Sequence, residues 1–430
     1  MLFLSPQILC DKNSIKPNYE LIKMNKHLLI VLLTFALCVF KVEAQNKFIS
    51  VKGKEIIGTN GKPMLLKGTN LGNWMIPEGY MFKFNDVSSP RLINEAITEM
   101  IGPDEAKYFW QKYLDNYVTE ADIHYLKSTG MNSLRVPFNY RLFTNETYLG
   151  TTDANRGFAL LDKLISWARK ENIYLILDMH SAPGGQTGDN IDDGYGYPFL
   201  FESEQSQQLT INIWKKIADR YKNEPIVMGY DLLNEPIATH FDAAKFNPLL
   251  EPLYKRITAA IRIVDQNHLI FLGGAQWDGN FSVFGAPFDP KLVYTFHTYW
   301  TEVKQEVIQK YIDFRDKYNV PIYIGETGEN NDGWIKGFRE LLEKNNIGWH
   351  YWPYKKMDAK SSIVQFKQPL NYELLINFSQ KPRTTFKEIR EAGPVNQQQV
   401  KQALNELLKN CLFENCTPNQ AYVEGLGLKP

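Results

Sequence analysis

Ile226-Val227-Met228-Gly229-Tyr230-Asp231-Leu232-Leu233-Asn234-Glu235-Pro236 decides how this chain folds. Its first eight residues are an almost wholly apolar run, the pattern of a strand buried on both faces of a parallel sheet. The run ends on Asn-Glu-Pro, so polar chemistry begins where the strand stops. Ile322-Tyr323-Ile324-Gly325-Glu326 repeats the arrangement roughly ninety residues later, again with a glutamate closing an apolar run. That separation is about the length of three strand–helix units of a (β/α)8 barrel.

Working outward, strand-like segments recur at Leu65–Thr69, Ser133–Pro137, Tyr174–Met179, Ile226–Leu233, Leu269–Gly273, Val293–His297, Ile322–Glu326 and Gly348–Trp352. Helical patterns separate them at Ala121–Thr129, Gly157–Glu171, Gln207–Tyr221, Leu250–Val264, Lys304–Tyr318 and Trp334–Lys344. In the second of these, Phe158, Leu161, Leu164, Ile165 and Ala168 follow helical spacing. Eight strands alternating with helices predict an α/β fold, a single (β/α)8 TIM barrel. An open doubly wound sheet would want a glycine-rich phosphate loop after its first strand. The residues there are Gly68-Thr69-Asn70-Leu71-Gly72-Asn73-Trp74, with no G-x-G-x-x-G. Before the barrel, Asn60-Gly61 between two apolar runs predicts a small β-hairpin cap. Asp178 to Phe201 and Asn234 to Pro248 are expected to be long connections at the strand C-termini, where barrel clefts are built. After Pro394, Gln397 to Lys409 reads as an amphipathic helix. The barrel domain is therefore placed at 45–394 and a C-terminal helical extension at 395–430.

Upstream, Met24-Asn25-Lys26-His27, the apolar run Leu28 to Phe40 and Val42-Glu43-Ala44 have the three regions of a secretory signal peptide, placed at 24–44. The run is about half the length needed to span a bilayer, so no stable membrane span is expected. Residues 1–23 carry no such pattern and read as an over-extended N-terminus. Export and a secreted protein, extracellular or periplasmic, are the expectation. Cys411 and Cys416 are the cysteines left beyond the leader. They could form a small-loop disulfide or stand as two free thiols.

Lys plus Arg is 48 and Asp plus Glu is 48, a formal net charge of +0, which gives no electrostatic reason to expect nucleic acid. Aromatic residues make up 13% of the chain. Sugar C–H faces stack on aromatic rings, so this suits a carbohydrate ligand, although large barrels also bury many aromatics. No cysteine–histidine pattern of a zinc site is present, and neither metal nor organic cofactor is expected.

The strand ends carry the chemistry. Two carboxylates brought to the same end of one barrel are the minimum equipment for cleaving a glycosidic bond with retention. Glu235, at the edge of an apolar barrel, can keep its proton because desolvation disfavours the charged form, as a general acid requires. Pro236 disfavours helix at Glu235 and is expected to hold an extended strand end. The Asn234 amide can donate to a sugar 2-hydroxyl. Alternatively, the pair merely caps the next helix. Glu326 as a nucleophile must be ionised and needs donors or cations nearby. Arg135, in Leu134-Arg135-Val136-Pro137, is the candidate, since an arginine in an apolar strand end needs an anion. It could equally pair with some other acid. Tyr299 could hydrogen-bond Glu326, and His297 could reach the acid or the substrate. His180 ends the third barrel strand. Trp352 ends the last and could stack the sugar being cleaved, or simply pack in the core.

Together these residues resemble glycoside hydrolase family 5. Its pattern is Arg after the second barrel strand, His after the third, Asn-Glu-Pro after the fourth, His-x-Tyr after the sixth, Glu after the seventh and Trp after the eighth. Arg135, His180, Asn234-Glu235-Pro236, His297 with Tyr299, Glu326 and Trp352 fill it in order. The resemblance spans about Leu65 to Lys356. It implies Glu235 as acid/base and Glu326 as nucleophile, with Arg135, His180, Asn234, His297, Tyr299 and Trp352 binding the substrate. Asn70-Leu71-Gly72-Asn73-Trp74, Asp178 to Gly188 and Trp349 to Lys355 are most similar to the exo-β-1,3-glucanase branch. Asn73 stands where that branch carries a second glycine, and Met179 and Ser181 replace its leucine and glycine. The implied activity is a retaining β-glucanase or β-glucosidase, monomeric, acting on a β-glucan or β-gluco-oligosaccharide. The alternatives are a related hydrolase acting on mannan or another β-glycan, a catalytically idle carbohydrate-binding barrel, or a metal-dependent barrel hydrolase.

Overall fold

A computed structural model describes residues 47–393 and 396–430. The expected leader, the over-extended start and the boundary placed at residue 394 lie outside the described residues. Strands β1 (Ser50–Lys52) and β2 (Glu55–Ile57) form an antiparallel hairpin. The next eight strands are β3 (Lys67–Asn70), β4 (Ser133–Asn139), β5 (Tyr174–Ser181), β6 (Val227–Asp231), β7 (Leu269–Gly273), β8 (Leu292–His297), β9 (Ile322–Gly328) and β10 (Gly348–Trp352). They close into one barrel in chain order, with β10 pairing back onto β3 and every neighbour parallel. All eight predicted strands are present. Each is buried along nearly its whole length, which is why the sequence there shows continuous rather than alternating apolar character.

Several boundaries differ from expectation for identifiable reasons. The hairpin turns at Gly53, whose φ of 58° is the left-handed region glycine favours, and not at Asn60-Gly61. Asn60-Gly61 does turn the chain, with the Gly58 N–H donating to the Lys62 carbonyl at 2.8 Å. The Met64 N–H donates to the Ile56 carbonyl at 2.8 Å, and the pairing is a single bridge between Ile57 and Pro63, a position of the antiparallel pair that uses no N–H and so tolerates proline. The crossover from β3 to β4 holds two helices beyond the predicted one, Pro90–Ile101 and Pro103–Asn116. Each starts with proline at its first position, where the missing N–H costs nothing.

The long connection expected to run to Pro248 becomes helix at Ala243. Asp242 caps that helix by accepting from the Ala244 and Lys245 N–H groups at 2.9 and 3.4 Å. Pro248 and Pro252 lie inside it. The buried stripe of Phe246, Leu250, Leu253, Tyr254, Ile257 and Ile261 outweighs the backbone bonds the prolines remove.

The C-terminal extension is bound to the barrel. The helix Gln397–Asn410 buries Val400, Ala403, Leu404, Leu407 and Leu408 against the two helices of the first crossover. Beyond it, β13 (Thr417–Pro418) pairs with β12 (Val364–Phe366), which pairs with β11 (Lys355–Met357). Cys411 and Cys416 are free thiols. Among the described residues, no helix is long and apolar enough to cross a membrane.

Candidate active site

Arg135 is the centre of the site. It projects from β4 and is fully buried. The parallel register of β5 and β6 sets Asp178 beside Asp231, so two acids share one layer of the barrel and require a cation. Arg135 donates to Asp231 through Nε at 2.8 Å and approaches Asp178 through Nη2 at 3.1 Å. The rest of its fork reaches the strand ends. Nη1 donates to Glu326 Oε1, and to Asn70 Oδ1 at 3.2 Å, and Nη2 donates to Asn234 Oδ1 at 2.8 Å. Both readings of the arginine thus hold together: it pairs with structural acids and it holds Glu326. Burial pushes Asp178 up to about 7 and Asp231 up to about 6 against the pull of Arg135. The cluster therefore does not set three full negative charges against one cation near neutral pH.

Glu326 is gripped on both oxygens. Oε1 takes the Arg135 bond, and Oε2 accepts from the Tyr299 hydroxyl at 3.1 Å. His180 Nδ1 lies 2.8 Å from Asp178 Oδ2, and Asn234 Nδ2 lies 3.3 Å from His180 Nε2. Both contacts are satisfied when the ring carries its proton on Nδ1 and Nε2 accepts from the amide. Burial lowers His180 to about 4, so the ring is neutral at pH 7. Asn234, held by Arg135 and His180, has no rotational freedom left.

Glu235, just beyond β6, faces Glu326 on β9 from three strands away around the barrel. His297 Nδ1 sits 2.9 Å from Glu235 Oε1 and 3.8 Å from Glu326 Oε2. One oxygen of each glutamate and a His297 ring nitrogen all lie within 4.8 Å of one another. Burial raises Glu235 to about 7, against the opposing effects of His180 and Arg135, and lowers His297 to about 3. Pro236 does exclude helix at Glu235, but the expected extended backbone is absent: Glu235 has φ 45° and Ile237 has φ 60°. A left-handed non-glycine residue costs on the order of 1–3 kcal/mol and persists only where its surroundings over-determine it. Here Thr187 Oγ1 donates to the Glu235 carbonyl at 2.8 Å, Gln186 Nε2 donates to the Asn234 carbonyl at 2.9 Å, and the Ile237 N–H donates to the Gln186 carbonyl at 2.9 Å.

Above these groups opens a cleft of about 730 Å³. Trp352 lines it, its ring stacked beside His180 at 5.6 Å between centroids and its Nε1 donating to the Tyr80 hydroxyl at 2.7 Å. Gly72 permits this, because a Cβ there would lie 2.5 Å from the indole. Every residue predicted for the site is in this one constellation. The sequence reading missed Asp178 and Asp231 behind Arg135, Asp278 behind His297, and Glu78, Tyr80, Trp277 and Trp300 in the cleft walls. Asp178 and Asp231 carried a usable signal, as charges inside otherwise apolar strands. The others lie on loops, where an acid or aromatic residue is unremarkable.

Asp178, His180 and Glu326, and likewise Glu235, His297 and Glu326, are close enough to bracket a cation. Arg135 already occupies that electrostatic role, with its guanidinium on both Asp178 and Glu326.

The model of the cellulase family, glycosyl hydrolase family 5, matches residues 95–358. The chain is 27% identical over 354 residues to a beta-xylosidase of Phanerodontia chrysosporium, which covers 74% of this chain and 72% of that one. It is 26% identical over 329 residues to endoglucanase C of Acetivibrio thermocellus, covering 62% of this chain and 92% of the relative. A probable glucan 1,3-beta-glucosidase A of Neosartorya fischeri is 25% identical over 224 residues, half of this chain and 52% of its own length.

Proposed function

The chain belongs to glycosyl hydrolase family 5 and is a glycoside hydrolase, and from that premise we propose that it cleaves β-glucosidic bonds in β-glucans by double displacement, with retention. Glu326 attacks the anomeric carbon. Glu235 protonates the leaving oxygen, then takes a proton from the water that releases the glycosyl-enzyme. The observation that carries the reading is the spacing of the two carboxyls. One oxygen of each glutamate lies within 4.8 Å of one of the other, which supports the roughly 5–5.5 Å carboxyl separation of retaining enzymes over the roughly 6.5–9.5 Å of inverting ones. The environments divide the labour. Glu326 accepts from an arginine and a phenol, whereas Glu235 touches a neutral histidine and is pushed by burial toward its protonated form. Asn234, which gives one amide hydrogen to His180, keeps a second for a glycone hydroxyl, and Trp352, stacked beside His180, offers the flat wall of the same subsite.

The β-glucan assignment draws on the relatives, which include an endoglucanase and a glucan 1,3-beta-glucosidase, and on the partial likeness to the exo-β-1,3-glucanase branch. Export through residues 24–44 and action as a monomer complete the proposal. Glu326→Ala tests the nucleophile: activity on an activated aryl β-glucoside is lost, and added azide restores turnover as the inverted glycosyl azide. Unchanged hydrolysis without azide rejects the assignment. Product analysis on laminarin, cello-oligosaccharides, mixed-linkage glucan and mannan decides the substrate, with preferential release from mannan counting against a glucanase.

A further inference from the structure

The connection after β7 contains an unusual turn. Gln276, Trp277 and Asp278 are consecutive and all left-handed, with φ of 52°, 61° and 58°, inside a bridge between Ala275 and Asn280. Single left-handed residues other than glycine are uncommon, and three in succession are costly enough to require compensation. The turn aims Trp277 into the cleft and buries Asp278 behind His297. Asp278 fits there because Gly273 has no side chain; a Cβ at that position would lie 1.9 Å from Asp278 Oδ1. Asp278 Oδ2 sits 3.2 Å from His297 Nε2 and accepts from the Glu235 N–H at 3.4 Å. Among the described residues, Asp278 Oδ1 has no hydrogen-bond partner, and His297 Nε2 has no aligned one. The 3.2 Å contact with Asp278 Oδ2 is what His297 Nε2 has to pair with, while Oδ1 stays unpartnered among the described residues.

We propose that Asp278 is a positioning residue held as a neutral carboxylic acid, which donates its proton to His297 Nε2 and thereby fixes the imidazole proton on Nδ1, directed at Glu235 Oε1. The inference rests on the assignment of Glu235 as acid/base. Its chemistry is a matter of tautomers. A neutral imidazole carries one proton. If that proton sits on Nε2, the Nδ1 lone pair faces Glu235, and Glu235 must spend its own proton on the histidine. If it sits on Nδ1, Glu235 Oε1 accepts it, and the second carboxyl oxygen keeps a proton free for the leaving group. After transfer, the same N–H stabilises the carboxylate that remains. No heavy-atom bond changes in this device; Asp278 keeps its proton throughout the cycle.

The surroundings fit a neutral Asp278. It has no direct cationic partner, unlike Asp178 and Asp231, which share Arg135. Burial, then the nearby Asp231 and the Glu235 carboxyl, push it well above the ordinary aspartate range, with Arg135 and the bond from the Glu235 N–H opposing. Glu235 is faced by His297, His180 and Arg135, and by Glu326 across the cleft. The phenol of Tyr254 lies near Asp278 but donates to the Gly273 carbonyl at 2.9 Å.

Nitrogen-15 NMR of the full chain labelled at histidine reads the tautomer directly, with His297 assigned by its disappearance in His297→Gln. The expected signal is Nδ1-protonated and Nε2-unprotonated in the native protein and in Asp278→Asn, whose amide also donates. In Asp278→Leu it shifts toward Nε2–H. The kinetic counterpart is rescue by the conservative variant. Asp278→Leu loses about tenfold in kcat on glucosides with poor leaving groups, a fraction of a full general-acid contribution. It loses less on activated ones, and Asp278→Asn recovers most of the difference. An Nε2-protonated His297 in the native protein, or a downward shift of the alkaline limb in Asp278→Asn as a lost negative charge would cause, overturns the proposal. Failure of the acid assignment looks different: Glu235→Gln would still cleave unactivated glucosides while the His297 tautomer stayed as stated.

Discussion

Two glutamates of identical chemistry lie in one pocket, and their neighbours alone distinguish them. Glu235 is desolvated and meets a histidine that burial keeps neutral, so its carboxyl titrates near 7. The acid form is then present below about pH 7 and lost above it, so kcat/KM on glucosides with poor leaving groups falls along an alkaline limb near that value. The same shift carries a stability consequence. A carboxyl whose folded-state pKa is raised contributes stability that is complete below its unfolded value, near 4, and is lost as pH rises through 7. Glu235→Gln removes that liability. It is expected to raise the unfolding free energy at pH 8 by roughly 1–3 kcal/mol, seen as a higher denaturation midpoint, while leaving pH 4 stability nearly unchanged and abolishing turnover of unactivated glucosides. Chemical denaturation at the two pH values checks it; equal midpoint shifts at both would mean the buried charge is not the cause.

At the level of elements, strands and loops were legible to different degrees. Each barrel strand announced itself because burial on both faces forces a continuous apolar run, whatever its partners. The helices of 90–116 each begin with a proline, which suits a helix only in its first turn, and Pro248 lies inside a helix because packing overrides propensity. The loop after β5 was recognisable as long but not as ordered. Buried Asp192 organises it by accepting from the N–H groups of Thr187, Gly188 and Gly194 at 2.9, 2.6 and 2.7 Å. Thr187 in turn fixes the carbonyl of Glu235. Asp192→Ala strands those donors, costing roughly 2–4 kcal/mol of stability. It also releases the strained backbone at Glu235, so kcat falls more than KM rises. A protein that keeps wild-type kcat with only a lower melting temperature would show that the loop does not govern the acid.

For the whole molecule, the C-terminal segment is a structural part of the barrel. Buried Lys355 donates through Nζ to the Tyr117 carbonyl at 2.8 Å, to Asp122 at 2.6 Å and to the Cys411 carbonyl at 2.7 Å, joining the first crossover, the edge of the barrel and the tail. Ending the chain at 393 removes one acceptor from a buried ammonium and uncovers the apolar faces of Pro90–Ile101 and Pro103–Asn116 that the stripe of 397–410 covers, so the shortened chain is expected to be insoluble or to melt at least several degrees lower. A truncated protein with an unchanged melting temperature and activity would refute this coupling.

The sequence by itself determined the barrel and the roster of strand-end residues, because long apolar runs and the polar residues that terminate them are local properties. It could not determine which acids stand behind Arg135, that Glu235 rests on a left-handed backbone, or that Asp278 backs His297. Those facts depend on barrel closure and strand register, which make neighbours of residues far apart in the chain. Desolvation and hydrogen bonding act only between neighbours in space, and so what sets two chemically identical glutamates apart belongs to the tertiary structure.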